Sequence, residues 1–303
     1  MVAVGLLAAC SSSPEPEPDV TTTSVSTVVP TTSGAATGDP VVLAAGDIAS
    51  CESTGDEATA PLVAARPNAT VITLGDNVYD DGTARQFRDC YEPSWGPVKS
   101  RTRPSAGNHD YETPGASGYF GYFGAAAGEP GAGYYSYDVG AWHVIVLNSN
   151  CGDVSCSAGR AQEQWLRGDL AAANRACTLA YWHHPRFSSG TRHGSSATVA
   201  PFWQALYDGG ADLVLTGHEH NYERLGPLTP AGALDEARGI RSFVVGTGGR
   251  SHYGFGRPIT GSEVRNDDTY GVLQLTLKAT SFDWQFLPEA GKTFTDAGSA
   301  PCH

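Results

Sequence analysis

From Val41 onward, short apolar runs rich in β-branched residues alternate with stretches of helical period. Val41–Ala45, Thr70–Leu74, His143–Asn148, Thr178–Trp182, Leu213–Leu215, Arg241–Val245 and Val272–Leu277 have the length and composition of strands buried on both faces. Phe282–Phe286 alternates apolar and polar residues, as a partner strand to the last of these would. Glu57–Ala65, Ala84–Tyr91, Ala161–Ala173 and Val199–Tyr207 read as helices. In Ala161–Ala173 the residues Trp165, Leu166, Leu170 and Ala173 fall on one face. Strands interleaved with helices predict a mixed α/β fold. Ser105–Tyr137 is rich in Gly, Tyr and Phe and has little period. A loop of that length inside a domain is usually functional.

Ahead of Val41 the pattern disappears. Ser11 to Pro40 is built of Pro, Glu, Thr, Ser and Val without periodicity, which predicts an extended, disordered tether. Small and apolar residues from Val2 to Ala9, followed by Cys10 and three serines, read as the tail of a secretory signal. Leu7-Ala8-Ala9-Cys10 resembles a bacterial lipobox, with Cys10 the lipidated residue. The expected organisation is a signal remnant at 1–10, a tether at 11–40 and one catalytic domain at 41–303. The expected location is the bacterial cell envelope, as a lipoprotein, or outside the cell. No apolar run approaches the roughly 18 residues that span a bilayer, so membrane contact is expected only through the lipid anchor.

Composition narrows the field. Hydrophobic residues are 40% and charged residues 17% of the 303, enough apolar material for a core and too little charge for wholesale disorder. The formal charge of −13 opposes a nucleic-acid coating role. A monomer acting on small molecules is the expectation. With Cys10 set aside, six cysteines remain, and in an exported chain an even number predicts disulfides. Fifteen pairings are open. Cys151–Cys156, Cys51–Cys90 and Cys177–Cys302 are the expected ones, and free buried thiols are the alternative.

The chemistry sits where the apolar runs stop. Val41–Ala45 leads into Gly46-Asp47, and Thr70–Leu74 into Gly75-Asp76-Asn77-Val78-Tyr79. Gly107-Asn108-His109-Asp110 follows Arg103-Pro104. Thr178–Trp182 runs into His183-His184-Pro185, and Leu213–Leu215 into Gly217-His218-Glu219-His220. In α/β sheets the crevice beyond the strand carboxyl ends is the usual ligand site. Taken singly, each motif has an ordinary reading: Gly-Asp as a turn or helix cap, Gly-Asn-His-Asp as an Asx turn, His-x-His as two exposed rings. Gly246-Thr247-Gly248-Gly249 lacks dinucleotide spacing and reads as a turn. Together, Asp47, Asp76, Tyr79 and Asn108 offer hard oxygens, and His183, His218 and His220 offer imidazoles. Such a set suits iron, zinc or manganese. Seven donors are too many for one tetrahedral ion. They suit two ions roughly 3.5–4 Å apart that share a carboxylate.

The order Asp47-Ile48-Ala49, Gly75-Asp76-Asn77-Val78-Tyr79, Gly107-Asn108-His109-Asp110, Ala180-Tyr181-Trp182-His183 and Gly217-His218-Glu219-His220 resembles the calcineurin-like metallophosphoesterases. Tyr79 narrows the resemblance to the purple acid phosphatase branch, in its small single-domain form. Ala49 and Ala180 depart from the family's usual Gly and Val, and neither is a ligand position. The resemblance implies a four-layer α-β-β-α sandwich holding two metal ions. Ferric iron would lie on Asp47, Tyr79 and His220, and Asp76 would bridge. Ferrous iron, zinc or manganese would lie on Asn108, His183 and His218. It implies hydrolysis of phosphomonoesters by a metal-bound hydroxide. His109 would protonate the leaving alcohol while Asp110 holds its other ring nitrogen. His193 would contact the substrate phosphate, and His184 would lie behind the ligands. A phosphodiesterase acting on nucleotides or lipid head groups is the alternative, and a catalytically inactive surface binding protein a more distant one.

Overall fold

The computed structural model describes residues 1–3, 5 and 38–303. The expected lipobox cysteine, Cys10, and the tether as far as Thr37 lie outside the described residues. The early strands are β1 (Val41–Ala45), β2 (Ala49–Ser50), β3 (Thr70–Leu74), β4 (Val78–Tyr79), β5 (Thr102–Ser105), β6 (Tyr135–Val139) and β7 (Trp142–Val146). They are followed by β8 (Cys177–Tyr181), β9 (Leu213–Thr216), β10 (Tyr222–Leu228) and β11 (Ile240–Val245). The last are β12 (Ser262–Asn266), β13 (Gly271–Leu277), β14 (Ser281–Pro288) and β15 (Ala297–Pro301). One sheet has the order β15-β14-β13-β1-β3-β5, a second β12-β10-β11-β9-β8-β7-β6, and β2 pairs with β4 in a small ladder.

Alternation along the strands explains the layers. In the second sheet Val144, Val146, Leu179, Tyr181, Leu213 and Leu215 join one core cluster with Val42, Val71, Leu275 and Phe286 of the first sheet. Their neighbours Ile145, Ala180 and Val214 point the other way, toward Leu166, Phe202, Trp203 and Leu206 of the Ala161–Ala172 and Ala200–Asp208 helices. The Gly55–Ala64 helix packs on β13. The result is the expected α-β-β-α sandwich. Trp142, Trp182 and Trp203 are at most 1% exposed. Burying a large apolar side chain contributes about 1.5–3 kcal/mol.

Parallel pairs (β1 with β3, β3 with β5, β7 with β8, β8 with β9, β9 with β11) aim their carboxyl ends the same way within each sheet. Pro104 in β5 is tolerated because β5 is an edge strand. The three expected disulfides, Cys51–Cys90, Cys151–Cys156 and Cys177–Cys302, are present. Among the described residues no helix is long and apolar enough to cross a membrane.

Two expectations need correction. Ala84–Tyr91 is not one α-helix. A capped turn at Ala84–Gln86 widens into a π-helix at Phe87–Tyr91, where Cys90 is tied to Cys51. Ser105–Tyr137 is not a structureless loop either. It holds short helices at Asn108–Tyr111 and Ser117–Phe123 and runs into β6. Tyr119 and Phe123 of the second helix pack edge-on, and Phe123 meets Phe87 and Tyr91. Tertiary aromatic packing, rather than period, holds this segment.

Candidate metal centre

Asp47, Asp76 and His218 each stand one or two residues beyond a parallel strand and adopt left-handed φ values of 59°, 47° and 70°. Non-glycine residues pay about 1–3 kcal/mol for such backbone, and the conformation clusters at functional sites. The turns are stitched together: Asp47, Ile48 and Ala49 donate their N–H groups to the carbonyls of Gly75, Asp76 and Asn77. The ladder continues into β2 and β4, where Ser50 lies opposite Tyr79 and fixes its position. Gly75, at φ 82°, permits a close approach, since a Cβ there would lie 2.5 Å from His183 Nδ1.

Two groups of donor atoms result. In one, Tyr79 Oη lies 2.9 Å from Asp47 Oδ1, 2.9 Å from Asp76 Oδ2 and 3.1 Å from His220 Nε2. In the other, His183 Nε2 lies 3.1 Å from Asn108 Oδ1, 3.1 Å from His218 Nδ1 and 3.3 Å from Asp76 Oδ2. The same oxygen of Asp76 belongs to both groups. All seven residues expected to hold metal therefore meet. Asp47, Asp76, Tyr79, His183 and His220 are buried, while Asn108 and His218 are half-buried on the open side.

The donor chemistry tests whether cations fit. His183 Nδ1 donates to the Leu74 carbonyl at 2.7 Å, which leaves Nε2 with a lone pair when the ring is neutral. That lone pair faces a carboxylate oxygen, an amide oxygen and another imidazole nitrogen. Acceptors crowd acceptors, an arrangement that cations resolve. His220 is oriented in the same manner, with Nδ1 on Ser251 Oγ at 2.7 Å. The remaining carboxylate oxygens are held by backbone: Asp47 Oδ2 accepts from His218 N, and Asp76 Oδ1 from His109 N, both at 2.8 Å.

The protein's own electrostatics reflect the crowding. Burial raises Asp76, but the His183, His109 and His218 imidazoles outweigh it and hold the carboxyl well below the usual range. Burial lowers His183, and Asp76 more than reverses this, pushing it up to about 9. Burial, then Asp47 and Asp76, push the Tyr79 phenol well above its ordinary value. Burial and neighbouring His183 push His218 down, and the same causes bring His184 to about 3. The Tyr79 phenol, the Asp76 carboxyl and the His183 and His218 imidazoles, each displaced from its ordinary range, are groups suited to ions of higher charge.

His109 sits at the rim, its ring centroid 4.3 Å from that of Tyr79. Its Nδ1 meets the Asp80 carbonyl at 2.5 Å. The expected support from Asp110 is therefore corrected. Asp110 is fully buried and turns back on its own short helix, accepting from Gly107 N at 2.8 Å and Asn77 Nδ2 at 2.9 Å. Its place is to brace the turn that carries Asn108. Burial, then Asp76, raise its carboxyl to about 7. His193 stacks on the His218 ring at 3.9 Å, and Glu219 accepts from the backbone N–H groups of His193 and Gly194. His184 bonds through Nδ1 to Ser149 Oγ at 2.8 Å.

Ser251 and Tyr253 had no signal in the sequence reading. Tyr253 stacks on His220 at 3.9 Å with the planes 12° apart. Both follow Gly246-Thr247-Gly248-Gly249, which is the expected turn but is packed against the ligands. A Cβ on Gly246 would lie 2.1 Å from the Glu219 carbonyl and 2.8 Å from Asp47 Oδ2. A glycine run closing a strand next to ligand motifs was the available clue.

The chain is similar to several purple acid phosphatases. It is 32% identical over 130 residues to purple acid phosphatase 15 of Arabidopsis thaliana, covering 39% of this chain and 24% of that protein. It is 32% identical over 161 residues to purple acid phosphatase 23 of the same plant, covering 46% and 34%. The matches thus span a quarter to a third of these relatives' own lengths. Among solved structures, purple acid phosphatase PPD1 from yellow lupin (Lupinus luteus) seeds superposes with a TM-score of 0.76 at 18% identity, covering 86% of this chain and 53% of that one. The family profile of calcineurin-like phosphoesterases matches residues 40–222. With more than half of the chain matched and the lupin protein's fold shared, the chain belongs to the calcineurin-like phosphoesterase family, on its purple acid phosphatase-like branch.

Proposed function

We propose that this chain hydrolyses phosphomonoesters at a two-cation centre. The observation that carries the reading is the position of Asp76 Oδ2, which faces Tyr79 Oη on one side and His183 Nε2 on the other. Asp47, Tyr79 and His220 would hold one ion, ferric iron by virtue of the phenolate. Asn108, His183 and His218 would hold the other, ferrous iron, zinc or manganese. Bound there, such a pair activates water and neutralises the charge of a phosphoryl group.

The chain's own groups supply orientation and proton transfer. With Nδ1–H donating to the Asp80 carbonyl, the His109 ring would turn Nε2 toward a departing alcohol. His193, stacked over His218 with its backbone anchored by Glu219, is the second imidazole at the mouth, suited to a phosphate oxygen. Three disulfides support export, because such bonds persist in oxidising compartments. A lipid on Cys10 remains the proposed form of attachment.

The test is turnover of p-nitrophenyl phosphate against its bis-ester by protein loaded with iron and zinc or manganese. The monoester is expected to be the faster substrate. A faster bis-ester would replace the reading by a phosphodiesterase, and no turnover of either would leave a binding protein.

A further inference from the structure

Beside the second group of donors lies a cavity of about 380 Å³, lined in part by Asn108, Tyr111, Glu112, Asn150, Asp153 and His184. It shares Asn108 with the proposed metal centre and so opens next to it. Its wall is held in place. The Cys151–Cys156 bond closes the turn in which Asp153 and Val154 donate to the Asn150 carbonyl at 3.0 and 2.9 Å.

The unfilled hydrogen-bonding capacity of this wall is specific. Asn150 is 6% exposed, and its Nδ2 donates to the Ala106 carbonyl and Asn148 Oδ1. Its Oδ1 accepts from no donor among the described residues and is open to one from the cavity it lines. Tyr111 Oη accepts from Asn148 Nδ2 at 2.7 Å, which leaves its own proton to give. Ser149 Oγ accepts from His184 N at 3.0 Å and lies 2.8 Å from His184 Nδ1. Glu112 and Asp153 are exposed, and neither is paired with a cation among the described residues.

Charge is distributed unevenly around the centre. On the Tyr79 and His220 side stand Arg192, 5.8 Å from the Tyr253 ring centroid, and Arg250, 5.2 Å from that of Tyr79 and paired with Asp80 at 3.1 Å. The Asn108 side carries the two carboxylates and the Asn150 oxygen. A substrate with its phosphate toward the arginines would place its alcohol among acceptors.

We infer that this cavity receives the alcohol half of the substrate and selects monoesters of small amino alcohols, a phosphate on a short carbon chain ending in an ammonium group, over esters whose alcohol carries further negative charge. The inference rests on the phosphomonoesterase reading and names its substrate class. An ammonium head supplies several donors to Asn150 Oδ1 and the two carboxylates, and a volume of this order suits a small group.

Three ethyl-sized esters isolate the charge: O-phosphoethanolamine, ethyl phosphate and phosphoglycolate. Metal-loaded enzyme is expected to show kcat/KM falling in that order. Glu112→Gln and Asp153→Asn should each reduce the phosphoethanolamine-to-phosphoglycolate ratio by about two- to fivefold, the size of one exposed charge pair. Calorimetric titration of the metal-free protein with ethanolamine gives a second readout, with affinity falling in both variants. Equal kcat/KM for the three esters, or a ratio that neither substitution moves, overturns the inference while leaving the phosphomonoesterase reading intact. If no ester turns over, p-nitrophenyl phosphate included, that reading fails. Ethanolamine binding weakened by both substitutions would then still support the cavity as an ammonium site, and its absence would end the assignment.

Discussion

Replacing Asp76 by asparagine keeps the side chain's shape and removes the anionic oxygen shared by both donor groups. That oxygen lies 2.9 Å from Tyr79 Oη and 3.3 Å from His183 Nε2, so neither ion site survives the change complete. A cation present at a hundred times its dissociation constant stabilises the folded state by about 2.7 kcal/mol. In a domain of this size each kcal/mol moves the melting temperature by about 2–4 °C, so one site is worth about 5–10 °C. The wild type, with two sites, should lose about twice that on chelation and regain it with iron and zinc. Asp76→Asn also loses the buried pairing with His183, so it should melt below the chelated wild type, and added metal should move it by less than about 2 °C. Turnover should vanish with the metal response. Differential scanning calorimetry with elemental analysis of the same samples measures both. A variant that holds two metal equivalents with the full thermal shift would refute the bridging role, as would turnover that persists without metal.

Tyr79→Phe removes the only phenol among the donors; a visible charge-transfer band in the iron-loaded protein should disappear, and an unchanged spectrum rules out phenolate ligation. His109→Ala should slow esters with poor leaving groups by about 10²–10⁴-fold and activated aryl phosphates far less, and an equal loss on both would sink the acid role. His143 is held between Asp169 Oδ2 at 2.7 Å and Asp138 Oδ1 at 3.1 Å. The Asp169 hydrogen bond raises its pKa against the opposing effect of burial, with Asp138 adding to the rise. A raised histidine contributes stability fully below its unfolded value of about 6.5 and loses it as pH climbs through the folded value. Urea midpoints of the wild type should therefore decline above neutral pH relative to His143→Gln; parallel curves would mean the pair contributes nothing.

The ligand-bearing strand ends were readable because the two periods agree. A buried parallel strand is a continuous apolar run, and the first polar residues after it mark the crevice. What escaped was held by contacts that leave no period. Ser251 and Tyr253 reach His220 from a turn after β11, and nothing in their neighbourhood but glycine marks it. β10 mixes buried with half-buried positions and β12 has no buried position, so neither shows a clean alternation. The Asp110 side chain neighbours that of His109 in sequence but not in space. Consecutive residues of a helix diverge, and at the third helical position a carboxylate folds back on the first turn instead of reaching its neighbour.

The Cys177–Cys302 bond joins the start of β8 to the chain end just beyond β15, and so ties the second sheet to the first. The seven donors gather at the opposite tip of β8, past Tyr181. The sandwich is thus sewn along its spine and fastened by ions at its fore-edge. Chelators should loosen only the fore-edge, speeding amide exchange in the turns around Asp47, Asp76 and His218 while the roots of the strands stay protected. Removing Cys177–Cys302 alone, by Cys177→Ser with Cys302→Ser, would act on the spine, far enough away for the two losses to sum.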